Sequence, residues 1–157
     1  MKTPDDSVQR SRALAAGPNE ALALLHFAFR AVVAEPDAEL AERGLGRVHH
    51  RILFFIARTP GLRVSDLLST LAVTKQALHL PLQQLIRKKL VSSAALPSNL
   101  RERRLRLTAS GKALERVLSG HQRGLFAAAF RKVGLSQARG WRAVMQQLVN
   151  AAPANRR

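Results

Sequence analysis

From Pro18 to about Ala34 the chain reads as a helix without a clear polar side. Leu22, Leu24, Leu25, Phe27, Phe29, Val32 and Val33 place apolar side chains on nearly every face of it. A helix that is apolar all round has to be covered all round. A chain of 157 residues builds one core of ordinary size, and a terminal helix has little of that core to wrap it. The second covering surface is therefore expected to come from another copy of the chain, which makes a homodimer the first structural expectation. Pro36 is expected to stop this helix near Ala34, and a short helix or turn over Asp37–Arg43 then leads to Gly44 and Gly46.

The remaining pattern is an ordered series of short elements. A second helix spans Arg47–Arg58, with Val48, Ile52, Leu53, Phe54, Phe55 and Ile56 inside it, and Thr59-Pro60-Gly61 ends it. Ser65 is the expected N-cap of a third helix, with Asp66 favourable in its first turn and Leu67, Leu68 and Leu71 as its core face. Thr74 caps a fourth helix reaching Lys89. Two short helices around a tight turn are the outline of a helix-turn-helix. Leu90–Ala94 and Arg103–Thr108 read as strands. In the second, Arg104, Leu105, Arg106 and Leu107 alternate, so leucines take one face and arginines the other. Leu96-Pro97-Ser98-Asn99-Leu100-Arg101 is the hairpin loop between them. A long fifth helix runs from the Thr108 cap to Val133, Gly134 ends it, and a sixth spans Ser136–Asn150. The fold class is mainly α with a small β-hairpin wing.

Charge says what such a fold meets. The net charge is +16 and the pI about 11.9. Residues 1–66 hold nine basic and eight acidic side chains, whereas residues 67–157 hold seventeen basic and two acidic ones, Glu102 and Glu115. The positive field thus belongs to the helix-turn-helix and the C-terminal elements after it, and a polyanion is the expected partner. There is no cysteine, which excludes a disulfide framework and a thiolate zinc site. No apolar run is long enough for a membrane span and the N-terminus has no apolar leader, so a cytoplasmic location without membrane contact is expected.

Four stretches stand in order: Arg58-Thr59-Pro60-Gly61-Leu62-Arg63-Val64-Ser65-Asp66-Leu67, Leu71-Ala72-Val73-Thr74-Lys75-Gln76-Ala77-Leu78, Leu85-Ile86-Arg87-Lys88-Lys89-Leu90-Val91 and Arg104-Leu105-Arg106-Leu107-Thr108-Ala109-Ser110-Gly111. Together they resemble the multiple-antibiotic-resistance regulator (MarR) family. The resemblance implies a winged helix-turn-helix in an intertwined helical dimer, and a transcription regulator, most often a repressor. It also implies a pseudo-palindromic double-stranded DNA operator and a small-molecule effector that releases the DNA. On this reading residues 1–17 are a flexible tail, 18–44 and 109–151 the helical dimerisation region, and 45–108 the DNA-binding region. Three features depart from the family pattern. Asn99 replaces the usual wing aspartate, Lys89 stands where a glycine is usual, and Leu80-Pro81 interrupts a normally polar recognition helix.

A helical wheel over residues 74–90 puts Leu78, Leu82, Leu85 and Ile86 on the core side. Gln76, Leu80, Gln83 and Arg87 fall on the opposite side, flanked by Lys75 and His79. The candidate major-groove residues are Thr74, Lys75, Gln76, His79, Leu80 and Gln83. Gln76 can pair bidentately with adenine, and Leu80 can meet a thymine methyl. Ser65, Arg87, Lys88, Arg104 and Arg106 are the candidate phosphate contacts. Arg101 and Arg103 are the wing candidates for a narrow minor groove, whose potential attracts arginine.

The histidines point to no metal. His49 and His50 are adjacent, so on a helix they diverge by about 100° and do not share an ion easily. His26 and Arg30 of the first helix, with His49 and His50 of the second, are the candidate effector-pocket residues. No Gly-rich phosphate loop or metal-ligand spacing is present, so neither an enzyme nor a cofactor is expected. The competing reading is a winged-helix module for protein interaction or for DNA binding without operator specificity, suggested by Leu80, Pro81 and Asn99.

Overall fold

A computed structural model of the chain describes residues 17–96 and 99–151, without the side chains of Leu100 and Arg101. The expected tail over residues 1–17 falls, Gly17 apart, outside the described residues, as do Pro97, Ser98 and the C-terminal residues 152–157. Residues up to Ala34 and residues from Glu35 onward form two separate units.

The first unit is the N-terminal part of helix α1, Pro18–Ala41. Its apolar side chains lie in the open, with Leu22, Leu24, Leu25, Phe27 and Phe29 each about half exposed or more. The break expected at Pro36 does not occur, and α1 continues through it into the second unit. Proline there cannot donate to the carbonyl of Val32, a loss that costs about 3 kcal/mol in an ordinary helix interior. Its ring is fully buried, and that apolar contact opposes the penalty.

The second unit continues with α2 (Arg47–Arg58), β1 (Leu62–Arg63), α3 (Val64–Leu71) and α4 (Lys75–Arg87). It ends with β2 (Val91–Leu96), β3 (Asn99–Leu107), α5 (Ala109–Val133) and α6 (Leu135–Ala151). The sheet is antiparallel in the order β1-β3-β2, with Leu62 opposite Leu105 and Val91 opposite Leu107. The wing is therefore three-stranded rather than a hairpin alone. A two-residue strand such as β1 has no periodicity by which a sequence could announce it. Leu40, Ile52, Leu53, Ile56, Leu67, Leu78, Leu85, Leu105 and Leu118 form the centre of one core. The alternation in β3 holds as expected: Leu105 and Leu107 are buried, Arg104 is half-buried and Arg106 exposed.

Local chemistry sets the element ends. Because β1 runs straight into α3, the N-cap is Arg63 in an extended conformation and not Ser65, which sits inside the first turn. Arg63 Nε and Nη2 then grip the Asp66 carboxylate at 2.8 and 2.9 Å. Ala72 in the left-handed conformation closes α3, and Thr74 caps α4 by accepting the N–H of Ala77 at 3.2 Å. Helix α4 ends at Arg87, two residues short of the expected Lys89, because Lys89 adopts φ 55°. A glycine would take that left-handed position freely, whereas for a lysine it costs about 1 kcal/mol.

Helix α5 is fastened to this same turn. The Thr108 hydroxyl donates to the Lys89 carbonyl at 2.7 Å and accepts the Gly111 N–H at 3.0 Å, while the Thr108 N–H reaches the Leu90 carbonyl at 3.1 Å. Gly111 lies so close that a Cβ on it would stand 1.9 Å from the Leu90 carbonyl oxygen. Backbone cannot yield as a side-chain tip can. Replacing Gly111 by alanine is expected to destabilise the protein by about 2 kcal/mol or more, against the usual gain for glycine-to-alanine in a helix. Urea denaturation of the two proteins checks this, and an unchanged midpoint would count against the packing described.

Candidate nucleic-acid interface

Helix α4 offers its outer face to solvent. Its inner positions Leu78, Leu82 and Leu85 are buried, which leaves Lys75, Gln76, His79, Leu80, Gln83 and Arg87 exposed, as the helical wheel anticipates. Lys88 and Lys89 extend the basic surface past the helix end, and Ser65 and Thr74 lie exposed at the starts of α3 and α4. Leu80 is 58% exposed, an apolar side chain in the middle of a polar face. Helix α4 runs unbroken through Pro81. Between α4 and the sheet lies a cleft of about 400 Å³, with Leu78 and Leu82 at its base and Lys75, His79, Gln83 and Arg103 at its rim.

The arginines of β3 divide by role. Arg103 is exposed, but its guanidinium reaches across the hairpin to Ser93, donating to the hydroxyl and the carbonyl at 2.8 Å each. Arg104 is turned to the β1 side, where it donates to the Gly61 carbonyl at 3.1 Å and pairs with Glu102 at 2.6 Å. Expected at a phosphate, Arg104 is thus engaged in holding β1 and β3 together. Arg106 is exposed beside Gly61, with no ion pair to a described residue. The side chain of Arg101, the first wing candidate, falls outside the described part. Asp66 is held below the usual carboxylate range by its hydrogen bonds to Arg63, so the start of α3 keeps a fixed negative charge beside the wing base.

The candidate pocket residues fall in both units, and each pair is described by itself. His26 and Arg30 are exposed on the first unit. His49 and His50 are buried in the second, each with internal partners. The Nδ1 of His49 accepts the Gly46 N–H at 2.9 Å and so closes the start of α2. Its other nitrogen then carries the proton and donates to Oε1 of Gln84 on α4, 2.6 Å away. Sequence reasoning missed Gln84, since nothing in its spacing marks a tie between α2 and the outer helix. His50 Nε2 stands 3.3 Å from the Ser119 hydroxyl, Ser119 donates to Glu115 at 2.6 Å, and Arg58 donates to the same Glu115 oxygen at 2.7 Å. Burial alone opposes charge on Glu115, yet the hydrogen bonds from Ser119 and Arg58 outweigh it and hold its pKa below the usual value. No cluster of three or more His, Asp or Glu side chains able to hold a metal occurs among the described residues.

An α-helical unit with a three-stranded wing and a basic outer helix defines a winged helix-turn-helix protein. Comparison with known proteins gives the family. The sequence pattern of the MarR family matches residues 43–102. The HTH-type transcriptional regulator PetP of Rhodobacter capsulatus is 44% identical over 133 residues, which is 85% of this chain and 79% of that protein. The chain belongs to the MarR family. Solved structures agree on the fold. One is the PcaV transcriptional regulator of Streptomyces coelicolor in complex with its natural ligand, at 17% identity and a TM-score of 0.67 over 88% of this chain and 96% of that one. Another is a MepR mutant of S. aureus bound to an oligodeoxyribonucleotide, at 16% identity and a TM-score of 0.59 over 83% and 96%. Among the described residues no helix is long and apolar enough to cross a membrane.

Burial pushes the pKa of His50 below 6.5, against the opposing pull of Glu115. The folded protein therefore prefers a neutral imidazole, while the unfolded chain takes up the proton first. The contribution of His50 is fully present above about pH 6.5 and is lost as the pH falls from there through its lower folded value. Thermal melts between pH 7 and pH 5 are expected to show a decline for the native protein that is shallower in His50→Gln. Parallel pH profiles would refute this assignment.

Proposed function

We propose that the chain is a homodimeric regulator of transcription that binds a pseudo-palindromic operator in double-stranded DNA and represses by occupying it in the cytoplasm. The carrying observation is the outer face of α4, where Lys75, Gln76, His79 and Gln83 stand exposed over a leucine core and beside a wing rich in arginine. In this reading Gln76 and Gln83 meet base edges, and Leu80 meets a thymine methyl. Thr74, Ser65, Lys75, Arg87, Lys88 and Arg106 hold phosphates, and Arg101 and Arg103 serve the wing. Arg104 is assigned to the sheet. The comparisons support this through the regulator PetP and the nucleic-acid complex of MepR. An effector that releases DNA is supported by the ligand complex of PcaV. No enzymatic activity is proposed.

Dimerisation is assigned to residues 18–44 and 109–151, with 45–108 as the DNA-binding region. Two surfaces support it. The first unit exposes Leu22, Leu24, Leu25, Phe27 and Phe29. In the second unit α6 has no buried residue and exposes Trp141, Val144, Leu148 and Val149. Water alone is an unfavourable neighbour for that much apolar surface. Phe27→Glu is expected to shift the dimer towards monomer in analytical ultracentrifugation, and a native protein already monomeric at micromolar concentration would overturn the assignment.

Gel-shift titration against the chain's own upstream DNA tests the operator reading. Gln76→Ala is expected to lose about 1–3 kcal/mol on that fragment and to relax preference at one base pair per half-site. Lys88→Ala should weaken cognate and random duplex alike and flatten the salt dependence by about one ion per contact. Half-sites about 10–10.5 bp apart, centre to centre, are expected in a footprint. The exposed Leu80 favours a second reading, a module that binds DNA without operator specificity. Equal native affinity for both duplexes would establish that one instead.

A further inference from the structure

Helix α4 is attached to the rest of its unit in two unlike ways. Leu78, Leu82 and Leu85 sink into the core. Such contact attracts without being directional, so by itself it leaves a helix some freedom to turn about its axis. The other attachment is the hydrogen bond from His49 Nε2 to Gln84 Oε1, at 2.6 Å. Among the described residues it is the one hydrogen bond by which a side chain of α4 reaches another element. Its donor is itself held still. The His49 ring is buried, and its Nδ1 accepts the Gly46 N–H at 2.9 Å, which leaves the proton on Nε2 and aims it at α4. One imidazole thus spans from the first turn of α2 to the last turn of α4.

The landing point matters because of Pro81. A proline has no N–H, so the rung from residue 81 to the Ala77 carbonyl cannot form, although α4 runs on unbroken. The missing rung divides the helix into residues 75–80 and 82–87. Thr74 secures the first half by accepting the Ala77 N–H at 3.2 Å. Gln84 lies in the second half, next to Gln83, whose exposed amide is one of the two offered to base edges. A turn of about 20° moves a side-chain tip some 6 Å from the helix axis by about 2 Å, more than a hydrogen bond to a base tolerates.

We propose that His49 and Gln84 are a positioning pair: the bond between them fixes the second half of α4 in rotation, across the rung lost at Pro81, and so aims Gln83 at its base pair. The consequence for DNA rests on the operator reading, whereas the hold on the helix does not.

Two substitutions separate the bonds of the ring. His49→Asn keeps an acceptor where Nδ1 stands and has nothing at Nε2, whereas His49→Gln keeps a donor near Nε2 and has no acceptor at Nδ1. Gel-shift titration on the chain's own upstream duplex, with each base pair of a half-site replaced in turn, reads the outcome. Gln83→Ala and Gln76→Ala first show which base pair each amide discriminates. His49→Asn is expected to lower preference at the Gln83 pair about fivefold or more and to leave the Gln76 pair within about twofold, while His49→Gln keeps both. Gln84→Leu should match His49→Asn, and Gln84→Glu, which retains the acceptor, should keep the native preference. Pro81→Ala restores the rung, so beside it His49→Asn is expected to lower the same preference less than about twofold. Equal loss at both base pairs, loss in Gln84→Glu as large as in Gln84→Leu, or an undiminished loss beside Pro81→Ala would each overturn the proposal, since each is what general destabilisation gives. Amide hydrogen exchange of the full chain without DNA reads the hold itself. His49→Asn should speed exchange in residues 82–87 and leave residues 75–80 as they are, and unchanged exchange in 82–87 would also overturn the proposal. A native protein with no base preference would sink the operator reading, and the exchange result would still decide the hold.

Discussion

The contact of α5 with the turn after α4 is the joint on which the described second unit depends. Gly111 lets the start of α5 meet the Leu90 carbonyl, and Thr108 ties the same place to Lys89. The turn is where α4 gives way to β2, so a shift of α5 is felt at once by the outer helix and by the wing. A glycine is required because the space is filled by backbone, which cannot rotate aside. The left-handed Lys89 belongs to the same arrangement. Its strain, an energy of about 1 kcal/mol, is carried because releasing it would move Leu90 away from α5.

A second tie runs through the histidines. His49 joins the start of α2 to Gln84 on α4, and His50 joins α2 to α5 through Ser119 and Glu115. Side chains that a sequence offers as ligands are thereby used as internal braces. Their burial is tolerated because each ring has a partner, and an unpartnered one would cost more than the bond contributes. The outer face of α4 is thus presented by an element anchored on both sides: leucines into the core, Gln84 to α2.

Much of this could be read from the residues in order. The leucine spacing of α4, the Thr74 and Thr108 caps and the arginine–leucine alternation of β3 are local signals, and the structure has each of them in place. What escaped reading depends on tertiary contact. Strand β1 is two residues long and exists because β3 lies beside it. Pro36 sits inside α1 because its ring is buried, a fact that no neighbouring residue reports. Ser65 looks like a cap, yet β1 feeds α3 earlier in the chain and leaves the serine inside. Arg103 and Arg104 carry the same charge at adjacent positions. Only the fold shows that one spans the hairpin to Ser93 and the other closes the β1 side.

That division of the arginines changes what the net charge means. A count of seventeen basic residues against two acidic ones suggests a uniform attraction to polyanions. In the structure some of that charge is engaged by internal acceptors and some lies over α4. Attraction follows from the sum, since long-range potential adds over all charges. Discrimination follows only from groups that can reach a base edge with a directional donor or acceptor. On the proposed recognition face of α4 the exposed amide side chains with both a donor and an acceptor are Gln76 and Gln83, with Leu80 between them able to reward a methyl group. A recognition face built this way would read a short stretch in which adenines and thymines matter more than the guanines an arginine-led face would seek.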